Sequence, residues 1–394
     1  MTLLAPMLDA PTYARARLRL GITGVGAFVV LSAAAAAGGL PGALFDASSG
    51  GLIEDAARLA IWLAGAALLA LPFELLGGHA LPARFGRSHP ELGDWIVRWL
   101  RGALIVVLAM SVSGALLIAA GKYGGRVGAV GMLMLVSLLL VGFQSHLARL
   151  VGGLRRVRPA LEEVEAELRA IDVIPPPIYV VDSTDEGFTG GIAGLPTAER
   201  IVLPVRWVGT FDARTLALLI ARRTAVVERG LRALGLAGAI AWTGAAFAIA
   251  SLVPGAGVTS VPELLTTSLW FTVMSFIGLL VLPTPSRAAA IAADAFALEG
   301  LEDRRDELVA ALGALDRLAD DEPERSPGVE RTFHPVPSLG SRTRALEAPR
   351  AERAPWHLAR TAIYLSIAGL NPLHRLVHCN AGRPDLWVFM PADG

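Results

Sequence analysis

The chain has 394 residues, of which 54% are hydrophobic and 18% charged, and its mean hydropathy of +0.54 lies well above that of a soluble domain. An ordinary water-soluble enzyme is excluded. Thirty-five basic residues balance thirty-five acidic ones, so there is no global positive field and nucleic acid is not an expected partner. The single cysteine, Cys379, can form neither an intrachain disulfide nor a cysteine-ligated zinc ribbon.

A bilayer core requires about 20 largely apolar residues per helix. Six runs meet that need: Gly21 to Leu40, Leu59 to Gly77, Ala103 to Ala120, Val127 to Val141, Leu231 to Val253 and Leu264 to Leu282. The fourth is short and extends toward His146. Arg15, Arg17 and Arg19 precede the first run, while Asp46, Glu54 and Asp55 follow it. The positive-inside rule therefore places the N-terminus in the cytoplasm, and an even number of spans returns the C-terminus there. The arginines of the loop from Arg84 to Arg101, of the segment from Arg149 to Arg229 and of the tail from Arg287 onward all fall on the same side. A cleaved signal peptide is the competing reading of the start, and a retained first span fits the remaining topology better.

The resulting expectation is a mainly α, polytopic protein of the cytoplasmic membrane with a small cytoplasmic α+β cap, divided into four parts. Residues 1–147 carry four spans, and 148–230 form a cytoplasmic helix and β-hairpin leading into a further helix. Residues 231–284 carry two more spans, and 285–394 form a cytoplasmic helical region. Within the cap, LEEVEAELRAID has helical spacing, and IYVVDS and ERIVLP read as strands flanking the glycine-rich GFTGGIAG. Near the end, WHLARTAIYLSIAGL is apolar but short and interrupted by Arg360, which predicts a packed or interfacial helix rather than a seventh span.

Four segments, in order, resemble the integral-membrane zinc metallopeptidases that include CAAX prenyl protease 1. They are LPFELLGGHALPARFG (Leu71 to Gly86) with DWIVRWLRG after it, IYVVDSTDEGFTGGIAGLPTAERIVLP (Ile178 to Pro204), SRAAAIAADAFAL (Ser286 to Leu298) and HPVPSLGSRTRALE (His334 to Glu347). The resemblance implies a helix carrying H-E-x-x-H after the second segment, a glutamate as third zinc ligand, and a peptide held along a sheet edge.

The departure falls on the chemistry. The implied catalytic helix is TLALLIARRTAVVERG, which puts the ligand positions on Arg222 and Val226, the general base on Arg223, and the third ligand on Ala290. Arginine stays protonated, and valine and alanine offer no donor atom, so no zinc is expected there. Asp294, which the resemblance makes an acceptor for a zinc-bound histidine, is retained; either Arg222 pairs with it across the vacated position, or Arg222 and Arg223 anchor the cytoplasmic end of the span from Leu231 at the headgroups while Asp294 faces water. His334 and Arg342 match positions expected to line the same pocket.

The alternative is a displaced zinc site on His374 and His378 of HRLVH, which would share a helix face, although Arg375 stands where a base belongs. The expected function is peptide or membrane-protein binding without cleavage. An active metalloendopeptidase with a non-standard ligand set is the alternative. A transporter or channel comes third, since the span interiors carry no ionisable side chain.

Overall fold

The structure, a computed structural model, describes residues 12–47, 50–319, 322, 324–348 and 352–389. Helix α1 (Tyr13–Ala37) is capped by Thr12, whose hydroxyl accepts from the Arg15 backbone N–H. Short α2 (Leu40–Leu44) follows, and α3 (Leu52–Leu75) runs back, continued by a π-helical turn over Leu76–Ala80 and by α4 (Leu81–Arg84). Next comes α5 (Leu92–Gly142), nominally one element of 51 residues. It is a helical hairpin: Gly125 has φ 57° and ψ −152°, and Gly128 lies against the Ala120 carbonyl. Eight residues of straight helix would separate those two by about 12 Å. A left-handed φ costs glycine little, so the reversal sits where the sequence can accommodate it.

The cap elements come next: α6 (Gln144–Gly152), β1 (Arg155–Val157), α7 (Glu162–Ala170), β2 (Ile178–Asp182), β3 (Gly191–Ala193), β4 (Arg200–Pro204), α8 (Arg206–Thr210) and α9 (Ala213–Glu228). Then α10 (Leu231–Ala250) and α11 (Val261–Val281) cross again. Among the described residues five helices are long and apolar enough to span a membrane, and because α5 supplies two arms the passes there number six, as the apolar runs predict. Lys122 Nζ lies 3.2 Å from Asp55 Oδ2, and Arg126 Nε donates to the Ser251 carbonyl at 3.2 Å. The start of α3, the α5 reversal and the end of α10 therefore share one face. On the opposite face, Arg17 Nη1 donates to the Gly77 carbonyl at 2.7 Å, joining the start of α1 to the end of α3. Val30, Ile61, Leu68, Leu104, Val112 and Ile249 point outward and are exposed. Such a girdle suits acyl chains and would be a liability in water.

The cap sheet departs from the expected pairing. Its order is β1-β2-β4-β3. IYVVD and RIVLP, expected as the two arms of a hairpin, pair in parallel, with Ile178 opposite Ile201. The hairpin is instead β3 with β4, Ile192 opposite Ile201. The physical reason is the glycine-rich stretch, which is long enough to cross over β4 and contains a third strand of its own. A separate apolar core under the sheet joins Val164 and Leu168 of α7, Ile201 and Leu203 of β4, Trp207, and Leu216 and Leu219 of α9. Leu308, Leu312 and Leu315, farther along the chain, complete it. Helices α12 (Pro283–Ala297), α13 (Arg305–Ala319), α14 (Pro327–Phe333) and α15 (Leu339–Ala345) close the cap on that side.

The C-terminal region is not a single cytoplasmic layer, and here the expectation is corrected. Helix α16 (Leu358–Leu365) packs against α10 and α11, and the chain then descends among the spans. Leu370 reaches Gly114, deeper than the midpoint of the first α5 arm. The Ser268 hydroxyl of α11 donates to the Leu370 carbonyl at 2.9 Å. The chain then turns back, with His378 against Gly21, Gly382 against Gly78 and Trp387 against Gly102. Almost every residue from 358 to 389 is buried. This re-entrant segment fills the interior of the bundle, an arrangement that a short apolar stretch broken by Asn371, Pro372, Arg375 and His378 did not announce. Backbone at membrane depth is tolerated where protein surrounds it.

Candidate functional site

Helix α9 starts at Asp212, whose side chain accepts from the Thr215 backbone N–H at 2.7 Å, and it is buried from Leu216 to Val226. Its leucines face the sheet core, and the opposite side meets α12. There Val226 packs with Ala289, Ala290, Ala292 and Ala293 in an apolar cluster that includes Leu231 and Trp356. Small side chains let the two helices approach closely, and they leave no donor atom at Val226 or Ala290.

In the middle of this contact lies a fully enclosed ionic cluster. Asp294 is 0% exposed and Arg222 1%. Arg222 Nε donates to Asp294 Oδ1 at 2.5 Å. From α15, Arg342 Nε donates to Oδ2 at 2.7 Å and Nη2 to Oδ1 at 2.8 Å. Of the two readings open in the sequence, the Arg222–Asp294 contact is the one present, and Arg342 of the HPVPSLGSRTRALE segment holds both carboxylate oxygens. Burial by itself would raise the Asp294 pKa, but Arg342 and then Arg222 outweigh it and hold the carboxyl below its ordinary range. Arg287 of α12, 2.8 Å from Glu330 Oε1, and Ser338, donating to Glu330 Oε2 at 2.6 Å, position α14 and α15 around the cluster. The Arg222 guanidinium also lies 5.0 Å from the Trp356 ring centroid.

Arg223, at the position of the expected general base, points the other way. It donates to the carbonyls of Val202 at 2.8 Å and Thr189 at 2.6 Å, and it stacks over Trp207. It ties α9 to β4 and to the glycine-rich loop, and its guanidinium, already protonated, can accept no proton. His334 is buried, with its ring 5.3 Å from that of His378 in the re-entrant segment.

The donor set does not fit zinc. Two guanidinium cations occupy the place a dication would need, and the ligand positions carry Arg222, Val226 and Ala290. The displaced site fares no better: Pro372–Arg375 is a 3-10 turn rather than α-helix, so His374 and His378 do not share the helix face expected of them. Among the described residues no group of three or more His, Cys, Asp and Glu side chains is placed to hold a metal ion.

Three further clamps escaped the sequence reading. Arg375 binds Glu74 in a fork, Nε to Oε1 at 2.8 Å and Nη2 to Oε2 at 2.6 Å, with Trp99 Nε1 also donating to Glu74. Arg17 Nη2 donates to the His378 carbonyl at 2.6 Å. Arg383 Nε donates to Asp185 Oδ2 at 2.7 Å. Beside that last pair, burial and then the neighbouring Asp185 push Asp385 up to about 6, against a bond from Ser183 and the charges of Arg98 and Arg101. A lone glutamate ending an apolar run, with two tryptophans four residues apart in the next helix, was the signal available for Glu74.

These features define a polytopic helical membrane protein with a small sheet on one face and an arginine-filled helix contact beneath it. The fold is that of Ste24p: the crystal structure of S. mikatae Ste24p matches with a TM-score of 0.62 at 17% identity, over 85% of this chain and 83% of that chain. No protein-family model and no curated protein matches. The resemblance to CAAX prenyl proteases drawn from the sequence therefore has support at the level of the fold.

Proposed function

We propose that this protein is a peptidase-like membrane protein that binds polypeptide without hydrolysing it. The observation that carries this reading is the Arg222–Asp294–Arg342 cluster. It occupies the position where the resemblance would put metal, ligands and base, and it supplies neither a Lewis acid nor a group able to activate water. What would remain is recognition. The outer edge of β3 borders a recess lined by Gly191, Ile192, Arg232, Trp356 and Phe389, and main-chain pairing to a strand edge requires no metal. Trp356 and Phe389 flank the re-entrant segment, so an extended peptide gains the edge when that segment gives way. In this reading the protein sits in the cytoplasmic membrane with both termini in the cytoplasm, the arginine-rich cap facing inward.

The test uses purified full-length protein in lipid nanodiscs. Photo-crosslinking peptides are expected to label residues near β3 and to be recovered intact, and elemental analysis is expected to find no stoichiometric zinc. One zinc per chain together with chelator-sensitive cleavage would overturn the proposal. Cysteine labelling of the Asp185 to Ala198 loop from the external face would overturn the orientation.

A further inference from the structure

Arg342 and Arg375 fork onto buried carboxylates, and Arg17 donates to the carbonyls of Gly77 and His378. Arg232 is buried without comparable support. It is the second residue of α10 and 8% exposed, and among the described residues its side chain makes a single hydrogen bond, Nη2 to the Gly194 carbonyl at 2.7 Å. Its Nε is enclosed and has no hydrogen-bond partner. No carboxylate of the described residues pairs with it, and Glu199, beyond the turn after β3, acts on it only from a distance. The first turn of α10 contains no acidic residue, so the cation stands at the positive end of the helix dipole. A buried charge left in that state is costly for a fold to keep.

The single bond fixes where the guanidinium lies. Gly194 directly follows β3, the strand at the open edge of the sheet, so Arg232 stands at the end of the edge that an added peptide strand would use. Arg232 lines the same recess as Gly191 and Ile192, and the wall there also carries His357 and Arg360 but, among the described residues, no acidic side chain. The lining itself supplies positive charge only. A strand added to β3 would lie about 4.8 Å from it, whereas Nη2 is 2.7 Å from the carbonyl that ends β3. A side chain of the added strand, rather than its backbone, spans that interval.

We propose that the polypeptide taken up at β3 carries an aspartate or glutamate beside Gly194, with its carboxylate bound by Arg232. The inference rests on the peptide-binding reading above and names the residue type that site selects. A carboxylate matches the planar guanidinium, suits the dipole at the start of α10, and supplies the anion that the buried cation lacks. Glutamine keeps the shape of glutamate and loses the charge, so it is the discriminating control.

The probes are short peptides of alternating valine and serine, blocked at both ends, with one central residue that is either glutamate or glutamine and a benzoylphenylalanine beside it. Binding to full-length protein in phosphatidylcholine nanodiscs is read by fluorescence anisotropy, and crosslinks are mapped by mass spectrometry. The glutamate peptide is expected to bind about ten-fold more tightly than the glutamine peptide, the scale of one hydrogen bond to a charged group, and to crosslink close to Gly194. Arg232→Met should remove the preference, and Arg232→Lys should keep part of it. Equal affinities, with both peptides crosslinked near β3, overturn this proposal and leave the peptide-binding reading standing. No crosslink near β3 from either peptide overturns both. An undiminished preference in Arg232→Met, or a preference whose crosslinks fall away from Gly194, overturns the assignment to Arg232. Should Arg232→Met fail to fold, the glutamate-to-glutamine ratio and the crosslink position in the unmodified protein decide. A peptide without glutamate but with a free C-terminal carboxylate that binds more tightly than the blocked glutamate peptide overturns the side-chain assignment.

Discussion

Replacing Asp294 with alanine tests whether the cluster is the electrostatic unit its geometry describes. Among the described residues the cluster joins the guanidiniums of Arg222 and Arg342 to the carboxylate of Asp294, all 3% exposed or less. Asp294→Ala removes the buried carboxylate to which both guanidiniums donate. Breaking a buried pair in this way costs about 3–5 kcal/mol, and repulsion between Arg222 and Arg342 adds to it. Asp294→Ala with Arg222→Met removes one cation but still deprives Arg342 of the carboxylate to which it donates twice. The triple change, with Arg342→Met as well, removes both buried cations together with the carboxylate they share, and methionine refills much of the vacated volume. The expected order of stability is therefore wild type and triple variant, then double, then single. Unfolding of detergent-solubilised protein, followed by circular dichroism against temperature and denaturant, reads the order. A single variant within about 1 kcal/mol of wild type would refute the reasoning, as would a double variant as stable as the triple, which would make Arg342 a bystander.

Other outcomes follow from the clamps. Glu74→Ala is expected to loosen the re-entrant segment by stranding Arg375, and Glu74→Gln combined with Arg375→Met to restore it; hydrogen exchange over residues 372–389 reads both, and unchanged exchange in Glu74→Ala would refute the clamp. Cys379 is the only cysteine and is buried, so its thiol reactivity should rise several-fold in Arg383→Ala. Asp385 has a folded pKa raised to about 6, so the folded state binds its proton more tightly than the unfolded one does. Its penalty is absent below the unfolded value of about 4 and fully present above about 6, worth on the order of 3 kcal/mol. The cap contact of the segment should accordingly weaken as pH rises through that window, and Asp385→Asn should abolish the dependence. Arg223→Met should destabilise the sheet by removing the two bonds that Arg223 donates to the Val202 and Thr189 carbonyls, while Arg223→Lys restores only part.

The six passes were legible because lipid imposes a simple requirement, about 20 apolar residues, that hydropathy reads directly. Even the reversal at Gly125 shows as a break between two apolar runs flanking Lys122 and Arg126. The Arg222–Asp294 contact was legible because the order of four resembling segments fixed a register on α9 and α12. The sheet was misread where local signals are silent. Strands separated by a glycine-rich stretch look like hairpin arms, and nothing local tells a turn from a crossover that carries Gly191–Ala193 as a strand. The re-entrant segment was misplaced for a similar reason. Its charges suggest solvent until their partners are known, and Arg375 lies 301 residues from Glu74 in sequence.

Those charges have a common geometry that bears on why they persist. Arg222 and Arg342 join α9, α12 and α15, Arg375 joins the re-entrant segment to α3, and Arg383 joins it to the loop after β2. Each links surfaces that carry few steric keys: the α9–α12 contact is lined by four alanines, and the π-helical turn near Glu74 by two glycines. Smooth surfaces of this kind slide past one another at little energetic cost, whereas a forked arginine–carboxylate bond is satisfied in one register only. On this argument the cluster supplies register rather than net stability, since a buried ion pair roughly breaks even against a well-packed apolar replacement. The two contributions separate in the variant with Asp294→Ala, Arg222→Met and Arg342→Met. It is expected to unfold at close to the wild-type temperature, yet cysteine pairs placed along α9 and α12 should crosslink in several registers, where the wild-type background gives one. A single crosslinking register in the variant would show that alanine packing alone defines the contact.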